Sequence, residues 1–143
     1  MNQGVYIAFD YGEKRVGLAH TDPLHLIASA LDTLAPKDVI HFVEKYAQQQ
    51  EIKAFVVGLP IQKNGTPSVV ESKIQSFILK LKHAFPEIPL FRQDERYTSK
   101  IAAHTLHLSG VSKKIREDKS TLDRISAALI LQSFLDSQKS KSK

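Results

Sequence analysis

The stretch Val5-Tyr-Ile-Ala-Phe-Asp-Tyr-Gly-Glu-Lys-Arg-Val-Gly-Leu-Ala-His20 decides the fold class. Val5 to Phe9 is a continuous β-prone apolar run, and Tyr11 to Lys14 reads as a turn. Arg15 to His20 then alternates, with Val16 and Leu18 on one face. Asp22-Pro23 breaks the pattern, and Leu26 to Leu34 supports a third strand. Two short connections make these three strands an antiparallel meander.

Downstream the period changes. Lys37-Asp38 opens a helix that carries Val39, Phe42, Val43 and Tyr46 on one side. Ala54-Phe-Val-Val57, bounded by Gly58 and Pro60, has the compact apolar form of a buried parallel strand. After the loop from Pro60 to Thr66, Pro67 suits a first helical position, and Ser68 with Glu71 fits a capping box. Val70, Ile74, Phe77, Ile78 and Leu81 form the buried face of that helix. Ile88-Pro-Leu-Phe91 reads as a fifth strand. A helix from about residue 98 to 108, a polar stretch from Ser112 to Ser120 and a last helix to about Asp136 follow. The expected class is α/β. It has a five-stranded mixed sheet, a three-strand antiparallel meander followed by parallel strands, with helices on both faces. Residues 1–137 are expected to form one domain, with 138–143 a disordered basic tail.

Composition bounds what such a domain does. At 143 residues, 42% hydrophobic and 24% charged, the chain has the size and make-up of one globular domain. Two large domains are excluded, and so is a disordered chain. The lack of cysteine removes disulfides, thiolate metal sites and a cysteine nucleophile. No basic n-region with an apolar h-region opens the chain, and no apolar stretch nears the roughly 20 residues of a membrane span. A soluble, cytoplasmic protein without membrane attachment is expected. The net charge of +5 is uneven, because residues 111–143 hold eight Lys/Arg against four Asp/Glu and carry +4 of it. Such a basic region suits a polyanion such as nucleic acid, although a solubilising lysine tail explains the same excess.

Three acids gain interest from their positions. Asp10 ends strand one, Glu95 lies just past strand five, and Asp123 lies in the first turn of the last helix. In α/β sheets, functional groups gather beyond the carboxyl ends of parallel strands. Three carboxylates meeting there repel one another unless a cation lies between them, and hard ions such as Mg²⁺ or Mn²⁺ take such ligands. Two such ions can activate a water and stabilise the leaving oxygen of a phosphodiester. Each acid also has a plain reading: Asp10 as a turn residue, Asp123 as the acid of a capping box with Ser120, Glu95 as a partner of Arg96.

Phe9-Asp-Tyr-Gly12 with Lys14-Arg-Val-Gly17, Val57-Gly-Leu-Pro60 with Asn64-Gly65, Asp94-Glu-Arg-Tyr-Thr-Ser99, and Lys119 through Asp123 to Ala127-Ala128 occur in this order. Together they resemble the YqgF/RuvX family of the RNase H-like superfamily, over residues 5–135. Its members are described as Holliday junction resolvases and as a nuclease that matures the 5′ end of the small-subunit ribosomal RNA precursor. The resemblance implies a divalent-metal-dependent nuclease with Asp10, Glu95 and Asp123 as catalytic and metal-binding acids. Asp94 is the rival for the middle place, since a pleated strand aims only one of two neighbours at a site. Tyr97 stands where the family often has an aliphatic residue. Arg124 and Ile125 follow Asp123, where related resolvases often carry a fourth acid.

Other matched positions carry physical roles. Gly12 is expected to make a tight turn with positive φ, and Gly17 to admit a phosphate or a helix close to the backbone. Arg15, Lys63, Asn64, Arg96 and Lys119 are the expected contacts to the nucleic-acid backbone. Implied partners are a ribosomal RNA precursor or branched DNA, with a homodimer suited to symmetric junction cleavage. Two other classes fit part of the pattern: a non-catalytic nucleic-acid-binding ribosome-assembly factor, and an ATPase using Asp10-Tyr-Gly12 as a phosphate loop. The latter normally needs a second related domain. His104 and His107 share a helix face without a third ligand, and His20 is expected to pack in its strand.

Overall fold

The computed structural model describes residues 4–22, 24, 27–60, 69–95 and 119–141. Its sheet is built from β1 (Val5–Tyr11), β2 (Val16–Thr21), β3 (Ala28–Leu34), β4 (Ile52–Leu59) and β5 (Leu90–Asp94). Spatial order is β3-β2-β1-β4-β5. β1 pairs antiparallel with β2, and β2 with β3, whereas β4 runs parallel to β1 and β5 parallel to β4. The expected meander followed by parallel strands is what forms.

Alternation along β1 assigns its residues to two layers. Ile7 and Phe9 join Val16, Leu18, Phe55 and Val57 in a core covered by α1 (Val39–Gln49) and α2 (Glu71–Ala84). Phe9 meets Phe55 and Phe77 edge-on, at ring separations of 5.6 and 5.5 Å. Ala8, Ala19 and Val56 face the other way, onto Ala127, Ile130, Leu131 and Phe134 of α3 (Lys119–Lys141). Alanines at the sheet positions let α3 approach closely. No helix among the described residues is long and apolar enough to cross a membrane.

Several boundaries differ from those expected. A 3₁₀ turn, Pro36–Asp38, precedes α1, because Asp38 N–H bonds the Ala35 carbonyl. α2 opens at Glu71 behind Val70, which makes no side-chain cap bond, and both carboxylate oxygens of Glu71 bind Arg92; the expected capping box also involves Ser68, outside the described residues. β5 begins at Leu90 rather than Ile88. Pro89 has no N–H to give the ladder, and its carbonyl accepts from Phe55 N–H at 2.9 Å. α3 continues to Lys141, beyond the expected end near Asp136. The helix expected at 98–108, Pro67 and Ser68 lie outside the described residues.

Candidate active site

β1, β4 and β5 all point their carboxyl ends to one edge of the sheet, and the acids follow from that topology. Asp10 is half-buried, next to last in β1, on the layer that α3 covers. Its cross-strand partner is Gly17. The next register step after the Phe9–Val57 pair brings Gly58 beside it on β4. Asp10 is therefore flanked by two residues without side chains.

The space over Gly58 is filled by Glu95. A Cβ built on Gly58 would run into the Glu95 carboxylate and stand 2.9 Å from Ile130 Cδ1. Glu95 N–H bonds the Leu59 carbonyl at 3.0 Å, which carries the β4–β5 ladder one residue past β5 and fixes where the side chain emerges. Parity along β5 separates the two neighbouring acids. Arg92 reaches Glu71 of α2 and Phe91 packs on Phe134 of α3, so Glu95 falls on the α3 layer and Asp94 on the opposite one.

Electrostatics at this point are strained. Burial, then the charge of Asp10 and a hydrogen bond with it, push the Glu95 carboxyl up to about 8. Arg92 opposes that rise and Asp94 adds to it. Without a cation, Asp10 and Glu95 thus retain a proton near neutral pH, because two carboxylates sharing a site do not both ionise. Two convergent carboxylates, one of them reluctant to ionise alone, make a donor set that fits a hard divalent ion.

Residue 123 lies in α3, one turn before Ala127, which is buried against the sheet. The Asp123 side chain is outside the described residues, as are those of Lys119 and Arg124. Lys63, Asn64 and Arg96 also fall outside them. Arg15 is half-buried immediately before β2, beside the same sheet edge. Gly12 corrects an expectation: its φ is not in the left-handed range. Glycine serves there because Gly12 N–H bonds the Arg15 carbonyl at 2.8 Å and a Cβ would stand 2.8 Å from that oxygen. His20 packs in β2, with Nδ1 2.8 Å from the Tyr46 hydroxyl, and burial lowers its pKa.

Arg92 was not among the sequence candidates. Its Nη atoms bind both carboxylate oxygens of Glu71 at 2.8 Å, while Nε and Nη2 reach the carbonyls of Val57 and Gly58 at 3.2 and 2.9 Å. It ties the start of α2 to the strand end beneath Glu95. Its partners lie 21 and about 35 residues away in the chain, so no local spacing reveals it.

The sequence profile of the RuvX family, described as Holliday junction resolvase, matches residues 4–137. A "Putative pre-16S rRNA nuclease" of Amoebophilus asiaticus is 49% identical over 138 residues, covering 95% of this chain and 96% of its own length. Another of that name, from Flavobacterium johnsoniae, is 41% identical over 133 residues, covering 93% and 96%. Among solved structures, T. thermophilus RuvC in complex with Holliday junction substrate matches with a TM-score of 0.58, over 94% of this chain and 96% of that one. At 14% identity that likeness shows the fold alone.

Proposed function

The chain belongs to the RuvX family of nucleases, and from that membership we propose that it hydrolyses a phosphodiester bond at the 5′ end of the small-subunit ribosomal RNA precursor, using Mg²⁺ or Mn²⁺ held by Asp10, Glu95 and Asp123. The observation that carries this reading is the meeting of the Asp10 and Glu95 carboxylates over Gly58. The relatives' names support RNA as substrate, and trimming an RNA end requires only one active site.

Asp10, on the central strand β1, would hold an ion together with Glu95. Glu95 would have to release its proton to hold an ion, so occupancy and pH would be linked. Asp123, one turn ahead of the docked face of α3, completes the set. When bound, the ions would supply the positive charge that activates a water and stabilises the leaving oxygen. Arg15, Lys63, Asn64, Arg96 and Lys119 hold backbone phosphates around that centre. No covalent intermediate with the protein is needed.

Asp10→Asn tests the reading. It keeps the shape of the side chain and removes one of two repelling acids, so the fold should persist with an unchanged or higher Tm. Metal-dependent cleavage of a precursor RNA should fall about 10²–10³-fold, the scale of removing one electrostatic group from such a centre. Full cleavage by the variant would sink the assignment. A parent protein that binds but cuts neither RNA nor a four-way DNA junction would leave only a binding role.

A further inference from the structure

On the layer opposite α3, the residue after Asp10 opens a second feature. Tyr11, Pro36, Ile40, Phe77 and Ser76 surround a cleft of about 350 Å³ whose rim carries Lys37, Lys73 and Lys80. The lysines come from two elements: Lys37 from the 3₁₀ turn before α1, Lys73 and Lys80 from α2. Positions 73, 76 and 80 recur at helical spacing beside the buried stripe of Ile74, Phe77 and Leu81, which brings two ammonium groups and a hydroxyl to one wall. The facing wall is apolar and aromatic, with the Tyr11 ring tilted on Phe77 at 5.2 Å.

We propose that this cleft binds a single-stranded segment of the substrate next to the cleaved bond, one base on the Tyr11–Ile40 wall and the adjoining phosphates on Lys37, Lys73 and Lys80. The proposal rests on the nuclease reading and adds a substrate class to it. Three features carry it. Lysines interleaved with an aromatic wall are what single strands use, because a base stacks and its phosphates take the cations. The volume is at the low end of small-ligand sites and suits one nucleotide rather than the width of a duplex. Tyr11 directly follows Asp10 on the opposite face of the sheet, so a strand leaving the acidic centre reaches the cleft by rounding the carboxyl end of β1.

The acid bound to the rim is no obstacle. Glu13 lies 3.0 Å from Lys73, with both side chains 57% exposed. Pairs so open to water are held weakly, and a phosphate can exchange for the carboxylate.

The test compares two double variants, Lys73→Ala/Lys80→Ala and Lys45→Ala/Lys53→Ala. The second removes equal charge from two other hollows that also hold rings, one lined by Phe42 and Tyr46, the other by Tyr6 and Phe91. Binding is measured by fluorescence anisotropy in the Asp10→Asn background. The probes are a duplex RNA with a six-nucleotide 5′ overhang and the same duplex blunt-ended, each across a salt series. Lys73→Ala/Lys80→Ala should weaken overhang binding about tenfold and reduce the log–log salt slope by roughly 1.4, with blunt binding little changed. Lys45→Ala/Lys53→Ala should leave both probes as in the parent.

Equal loss in the two variants, or equal loss on the two probes, overturns the cleft. Cleavage is measured in parallel with Asp10 intact. Metal-dependent cleavage that is indifferent to Lys73 and Lys80 at sub-saturating substrate refutes the cleft and spares the nuclease reading. Overhang binding through these lysines without cleavage by the parent does the reverse, and absence of both refutes the two together.

Discussion

Gly58 shows how much one missing side chain decides. The Glu95 carboxylate occupies the place a Cβ would take, against Ile130. Gly58→Ala should therefore displace Glu95 before it disturbs the ladder. Cleavage should drop about 10²-fold, in line with the cost of displacing a reacting group by an ångström, while Tm falls only a few degrees. Measured kcat and Tm for this variant check the two together. Glu95 also predicts a pH dependence. Its folded-state value of about 8 lies above its ordinary 4.5, so between those limits the folded, metal-free protein holds a proton that the unfolded chain has released. The stabilising difference is complete below pH 4.5 and is lost as pH rises through 8. In EDTA, unfolding free energy should thus decline across pH 5–8, by up to about 1.4 kcal/mol per pH unit from this group. Glu95→Gln should flatten that decline in urea titrations; an unaltered slope would show that another group carries it.

At the scale of elements, Arg92 joins α2 to the ends of β4 and β5. Its side chain is 20% exposed and that of Glu71 15%, so this ion pair is sheltered, and hydrogen bonding to Arg92 holds the Glu71 pKa low. Removing Arg92 strands Glu71 and takes a donor from each of the Val57 and Gly58 carbonyls. Arg92→Ala should cost about 3 kcal/mol in chemical denaturation, and Arg92→Lys nearly as much, because an ammonium does not reproduce the fork. Sequence reading reached the strands and helices here through period and punctuation, which are local. Asp10 and Glu95 were legible because each closes or follows an apolar run, and a parallel topology then brings run ends together. Arg92 was not, because its role depends on which elements touch. The same limit hid the bond of Glu71 to Arg92, and misassigned Gly12 to a left-handed turn where it clears the Arg15 carbonyl.

For the whole molecule, the acids proposed to hold the ion stand at residues 10, 95 and 123, so no local segment contains the proposed site. It exists only when α3 is docked on the sheet, with Ile130 fully buried and its Cδ1 over Gly58 beside Glu95. Binding of an ion should then be linked to global folding rather than to a local rearrangement. An ion that binds only the folded state stabilises it by about 2.7 kcal/mol at a hundred times its Kd, which shifts Tm by several degrees for a domain of this size. Mn²⁺ should raise the Tm of the parent in that way, more strongly at pH 8 than at pH 6, since protons compete for Glu95. Ca²⁺, with oxygen preferences of its own but looser geometry, serves as a comparison. Asp10→Asn should abolish most of the rise. Ile130→Ala should lower the metal-free Tm through a cavity costing about 2–5 kcal/mol, and should also shrink the Mn²⁺ effect by loosening the wall behind Glu95. A Mn²⁺-induced rise unchanged in both variants would place the ion elsewhere. A rise lost only in Asp10→Asn would mean that the acids organise without help from the helix that closes over them.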